Sequence, residues 1–291
     1  MITTAQSSPP RPRVQLMTVT PEQALDWLER MNNNNRPLSE TYAQRLARDM
    51  RAGRWVVTHE GIAFDPQGVL LDGQHRLWAV ALAEVPVRMH VWFDVTPESL
   101  MVINNGKPRS LADNLKLSGN NGSVSIRDLA TLRAMLGKGA HDGALTAHEA
   151  GELLTRHQEA IAFAVEQLAR VSRAKGISTG ETRAVIGRAW YSADRQRLAE
   201  FCRVLRTSVG AGDPDQAAIL LRTYLTTSLG GSRKLRLERY RKTERALRAF
   251  LRGEQLTRLY AAGSELFPLP EEIAAQSANP RPGAARTYVN N

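Results

Sequence analysis

The stretch Leu70-Leu71-Asp72-Gly73-Gln74-His75-Arg76-Leu77-Trp78-Ala79-Val80 gathers residue types suited to holding an anion. An apolar run ends in Asp72-Gly73, and Gln74, His75 and Arg76 open a segment whose apolar residues recur at helical spacing. The first N–H groups of a helix lack intrahelical partners and lie at the positive end of its dipole, so phosphate is well held there. Gly73 lets the backbone turn sharply and lets a ligand come close. Arg76 adds a forked donor that matches two phosphate oxygens. His75, with an unperturbed pKa of ~6.5, can donate to an anion or shuttle a proton. Asp72 can hold Mg²⁺ through water or orient His75. Glu60 and Asp65 flank Gly61–Phe64 and can supply a base or metal ligand beside the same loop. The plainer alternative is a turn before a helix, with His75 satisfying a buried carbonyl and Arg76 and Glu60 as solvated charges.

These residues need elements to hold them. Val14–Thr20 reads as a short strand, and Thr20-Pro21 begins a helix, with Thr20 as cap and Pro21 at the first helical position. Residues 32–37, Asn-Asn-Asn-Asn-Arg-Pro, are turn formers, and Ser39 can cap a helix that ends at Gly53. Gly61–Asp65 and Gly68–Asp72 predict two short strands around a tight turn, and the helix carrying Leu77, Trp78, Ala81, Leu82 and Val85 follows. Val85–Val95 is a strand, and Thr96-Pro97-Glu98 begins a further helix. After the Asn/Gly-rich 118–123, helical patterns run to about Tyr260. Thr146 and Glu149 head one long helix, 147–171, and Asp213, Pro214 and Gln216 head another. The expected class is α+β: a small mixed-sheet domain (14–118) followed by an all-helical domain (124–263). A disordered leader (1–13) precedes them, and an extended or disordered tail (268–291) follows.

A formal charge of +10 favours polyanionic partners. The clearest basic element is 232–253, where Arg241, Arg245, Arg248 and Arg252 share a face suited to contacting phosphates of DNA or RNA. No helix-turn-helix pair accompanies it, so non-specific contact is expected. The lone Cys202 can form neither an internal disulfide nor a cysteine-based zinc cluster. No apolar run is long enough to cross a bilayer. The first residues lack the apolar centre of a secretory signal, so a cytoplasmic protein without membrane partners is expected.

The run Leu70–Val80 followed by Val85–Val95 resembles the DGQHR branch of the ParB/sulfiredoxin-like superfamily. The preceding Asn35-Arg36 segment, with its helix and Gly53-Arg54-Trp55, and the later Ile103–Leu115 are similar to that branch as well. The resemblance covers roughly residues 14–118, and such chains are frequent in phages, plasmids and other mobile elements. It implies that Gly73, Gln74, His75 and Arg76 cradle nucleotide phosphates, with Arg36 as a second nucleotide contact. Partition proteins of the superfamily bind and hydrolyse CTP at this junction, sulfiredoxins use ATP, and free-serine kinases transfer phosphate. Two departures narrow the choice. Sulfiredoxins carry cysteine where this chain has Gln74, which excludes sulfinyl reduction, and Asn104 stands where the branch usually has aspartate. The expectation is a nucleotide-binding NTPase or kinase-like phosphotransferase using ATP or CTP with Mg²⁺. Asp72, His75 and Glu60 would be its catalytic residues. The alternative is a non-enzymatic DNA-binding or regulatory protein of a mobile element, and the third reading is a ParB-like nuclease.

Overall fold

Seven residues, Arg13–Val19, form strand β1, which begins on the last residue of the expected leader. A computed structural model describes residues 11–33, 35, 37–101, 109–117, 124–138, 145–168, 176–210, 212 and 215–278. Arg36, Asn104, the 118–123 segment, the Asp213-Pro214 cap, most of the leader and the end of the tail lie outside the described residues. The chain divides into two compact units, one running to Asn114 with Ala144–Ala150, the other holding the remainder. The division therefore falls at 114/115, a few residues before the expected 118–123.

The first unit contains α1 (Pro21–Met31), α2 (Glu40–Arg51), β2 (Ile62–Phe64), β3 (Leu70–Asp72), α3 (Gln74–Ala83) and β4 (Val87–Phe93). Its four strands form a mixed sheet in the order β1-β4-β2-β3. β1 runs antiparallel to β4, β4 parallel to β2, and β2 antiparallel to β3. Local chemistry explains the boundaries. Thr20 Oγ1 accepts the Gln23 N–H at 3.2 Å and starts α1. Asp65 Oδ1 accepts the N–H groups of Gln67 (2.8 Å) and Val69 (2.7 Å), closing the turn between β2 and β3. In that turn Asp65 is a structural acceptor. The core joins Val19, Trp27, Met50, Ile62, Phe64, Leu77, Val80, Met89 and Val91. α3 packs against α1, α2 and β2. Its Gln74, His75, Leu77, Ala79, Val80 and Ala83 are all buried, because a helix apolar on most sides belongs inside. The helix expected after Thr96 is instead a 3₁₀ turn, Pro97–Met101.

The second part of the chain is helical: α4 (Leu111–Leu117), α5 (Ile126–Leu136), α6 (Ala147–Arg156), α7 (Gln158–Leu168), α8 (Gly180–Ala189), α9 (Arg195–Thr207), α10 (Gln216–Thr227), α11 (Arg233–Arg252) and α12 (Pro270–Ala278). The molecule is thus α+β, a small mixed sheet with helices followed by an all-helical region. None of the helices among the described residues is long and apolar enough to cross a membrane.

Two expectations are corrected here. The single helix expected over 147–171 is two helices that meet at His157, which is buried and hydrogen-bonded through Nδ1 to the Tyr191 hydroxyl at 2.7 Å. The described part of the tail, expected to be extended or disordered from 268, forms α12 over Pro270–Ala278, with Phe267 and Leu269 buried before it. Its anchor is Arg188, fully buried in α8. Arg188 Nε donates to Phe267 O (2.8 Å), Nη1 to Met135 O (2.6 Å), and Nη2 to the carboxylates of Glu265 and Glu272. A tail without periodicity is held by a partner some eighty residues upstream, which no local pattern announces.

Candidate functional site

β3 ends at Asp72 and the backbone turns into α3 at Gly73, which adopts φ +102° and ψ 6°. A Cβ there would lie 2.7 Å from Ile62 Cδ1 and 3.1 Å from Gly61 O. Both the left-handed conformation and the close approach of β2 therefore call for glycine. The N–H groups of Arg76 and Leu77 donate to Gly73 O at 2.9 and 3.0 Å, so the α3 ladder begins on Gly73 itself.

The asparagine loop is stitched to this junction. Asn32 Nδ2 donates to Gln74 Oε1 at 3.4 Å. Asn35 Nδ2 donates to Asn32 Oδ1 at 2.7 Å and to Leu70 O at 2.8 Å. Farther along the loop, the Ser39 N–H donates to His75 Nε2 at 2.9 Å, and the Tyr42 ring meets the His75 ring edge-on at 5.3 Å. Ser39 precedes α2 without a side-chain cap; its amide goes to the histidine. An imidazole that accepts at Nε2 carries its proton on Nδ1. His75 thus anchors the loop through an acceptor nitrogen, and the role of donor to an anion through Nε2 is closed in this arrangement.

Arg76 faces carboxylates. Its side chain, 14% exposed, donates through Nη2 to Glu60 Oε2 (2.9 Å), and its Nη1 lies 3.6 Å from Asp72 Oδ2. Nη1 also donates to Gly61 O at 3.0 Å. Glu60, Asp72 and Arg76, three of the expected site residues, therefore form one cluster around a guanidinium. That guanidinium stands where a cation between Glu60 and Asp72 would stand. Among the described residues no group of three or more His, Cys, Asp or Glu side chains could hold a metal ion. The residues present do not fit a resident Mg²⁺ on Asp72.

Asn32, Asn35, Ser39 and Tyr42 were not among the expected site residues. The asparagine run was visible only as a turn former. Its available signal was that amide side chains can satisfy the open edge of a short strand, as Asn35 does at Leu70. In the helical unit, Arg241 and Arg252 are exposed and Arg245 and Arg248 half-buried on α11. Cys202 is fully buried in α9, and burial pushes its thiol up to about 12, so it is chemically quiet.

Fold and junction together define an α+β chain in which a strand–glycine–helix turn is walled by a polar loop from a distant part of the sequence. Comparison of this chain with models of known families, with curated proteins and with solved structures finds no match.

Proposed function

We propose that the β3–α3 junction binds the phosphates of a nucleotide, with the Asn32–Ser39 loop as the second wall of the site. The observation that carries this reading is the meeting of two segments some forty residues apart. Asn32 and Asn35 bond Gln74 and Leu70, and Ser39 bonds His75, at the very turn where a helix N-terminus opens. The resemblance of residues 14–118 to the ParB/sulfiredoxin-like superfamily supports the same reading, with ATP or CTP as the nucleotide and Arg36 as a further contact.

Arg76 then acts by exchange. A triphosphate competes with Glu60 and Asp72 for the guanidinium, since charge-assisted bonds to phosphate and to carboxylate are of similar strength. Mg²⁺ belongs to the incoming nucleotide rather than to the protein. Once Arg76 turns to the phosphate, the exposed Glu60 carboxylate is released and can accept a proton from water or another acceptor hydroxyl. Arg76 in turn offsets charge on the transferred phosphoryl group. Hydrolysis or phosphoryl transfer is the reaction class proposed. His75 positions the loop and transfers no proton in this scheme.

A thermal-shift panel of ATP, CTP, GTP and UTP, each with and without Mg²⁺, tests the reading. A nucleotide at a hundred times its Kd should add about 2.7 kcal/mol of stability. Arg76→Ala should weaken that binding, because Glu60 and Asp72 are left without their cation beside the phosphates. The loss should be less than the roughly tenfold to more than a hundredfold of an uncompensated charge-assisted bond, since Arg76 gives up its carboxylate bonds in exchange. Phosphate release by the wild type separates turnover from binding. If no nucleotide in the panel raises the melting temperature, the proposal fails.

A further inference from the structure

α11 carries nine basic and two acidic residues over its twenty positions. At 100° per residue, Lys234, Arg241, Arg245, Arg248 and Arg252 fall within an arc of about 60°, along a line of about 27 Å. The opposite side is core: Tyr240, Thr243, Ala246, Leu247 and Phe250 are all buried. Carboxylates near the stripe are engaged elsewhere or shared. Glu238 pairs with Lys242 at 2.9 Å, and buried Glu244 accepts the Leu266 N–H at 3.1 Å. Among the described residues Glu254 is the carboxylate ion-paired with the stripe, 2.7 Å from Arg245 and 3.8 Å from Arg252, while Glu238 and Glu244 attract Lys234 and Arg241 without forming an ion pair with them. Arg241 and Arg248 form no ion pair among the described residues, and Arg248 Nε is buried without an acceptor.

We propose that this stripe is a docking surface for the sugar-phosphate backbone of double-stranded DNA, bound without sequence preference. It does not depend on the nucleotide reading of the other unit. A straight line of fixed positive charge matches a polyanion that carries one charge per ~1.7 Å of axis, on the order of sixteen over the length of the stripe. Four of the five stripe residues are arginine, whose planar fork pairs with phosphate oxygens. An anionic membrane is the poorer match, because interfacial helices insert an apolar face and the apolar face of α11 is already in the core.

Fluorescence anisotropy with the full chain and two unrelated duplexes, each of about three helical turns, measures affinity as salt is raised. Replacing Arg241, Arg245 and Arg248 together with glutamine should reduce the slope of log K against log salt by about 0.9 for each phosphate no longer neutralised. At about 0.1 M salt it should weaken both duplexes alike, by about tenfold or more. The corresponding lysine variant should keep most of the slope. Glu254→Gln acts in the opposite direction, releasing Arg245 and Arg252, and should tighten binding. It also stands as the test if circular dichroism shows that the glutamine triple variant fails to fold. Affinity unchanged in Glu254→Gln, or in a folded triple variant at every salt concentration, would overturn the proposal. So would a wild type that binds phosphatidylserine-containing vesicles but no duplex.

Discussion

At Gly73 a single Cα meets two demands, a positive φ and a neighbouring strand too close to admit a methyl group. Gly73→Ala should therefore cost about 1–3 kcal/mol from the disfavoured backbone alone, with the displacement of Ile62 added. Urea unfolding of the two proteins measures it, and equal midpoints would mean that the turn relaxes freely. The neighbouring residues show how a partner decides a role that residue type leaves open. His75 can donate or accept, and the Ser39 amide at 2.9 Å makes it an acceptor. Arg76 can bind phosphate or carboxylate, and Glu60 lies at 2.9 Å. Gln74 and His75 are buried, so their polar atoms need fixed partners, and the asparagine loop supplies one to each.

Helix ends illustrate the same division among elements. α1 and α11 start at Thr20 and Ser232, whose hydroxyls accept N–H groups three residues on, and α11 stops where Gly253 turns left-handed. The boundary between α6 and α7 falls at a residue that keeps the helical ladder: the His157 N–H donates to Leu153 O at 3.0 Å and its carbonyl accepts the Ile161 N–H at 2.9 Å. His157 sits there, 1% exposed, between the Tyr191 hydroxyl and Glu271, whose Oε1 is 3.2 Å from Nε2. Burial holds the imidazole below its ordinary pKa of 6.5, the nearby Glu271 opposing and Arg156 and Arg188 assisting. The pH dependence follows in sign. Above ~6.5 the residue is neutral in both folded and unfolded chains. Below that, the unfolded chain takes up the proton first, so stability falls with pH until the folded imidazole protonates too. His157→Gln should flatten this part of the curve, measured as urea midpoints between about pH 7 and pH 5. A wild type and variant with parallel curves would remove His157 as the cause.

Across the whole molecule, Arg188 joins segments far apart in the chain: the end of α5 at Met135, the Glu265–Phe267 stretch and α12 at Glu272. A guanidinium with no exposure is tolerable only because every direction offers an acceptor. Lys138 adds a second cation to Glu265 and Glu272. Arg188→Ala leaves the Phe267 and Met135 carbonyls without their donor and Glu265 and Glu272 to Lys138 alone, and should cost about 1–3 kcal/mol for each buried carbonyl left unsatisfied. It should also loosen the last segment of the chain, so limited proteolysis near residues 260–278 should become faster than in the wild type. Proteolysis at the wild-type rate would show that α12 is held by Phe267 and Leu269 alone.

Much of this architecture is legible in the order of residues because its causes are local. Alternation marks β4, the Pro66–Gly68 turn marks the β2–β3 pair, and Gly73 marks the entry to α3. Hydroxyl and glycine caps bound α1 and α11, and the arginine periodicity of α11 places its basic stripe opposite the core. Each of these depends on residues within a turn or two of one another. What only the tertiary structure decided is the pairing of groups that meet across the fold. Asn32 and Asn35 reach β3 and Gln74, Arg76 turns to Glu60, His157 bonds Tyr191, and Arg188 fixes a tail that lacks any pattern of its own. The physical reason is common to all four. A polar side chain can satisfy itself in several ways, and burial selects whichever acceptor or donor the packed chain brings within reach.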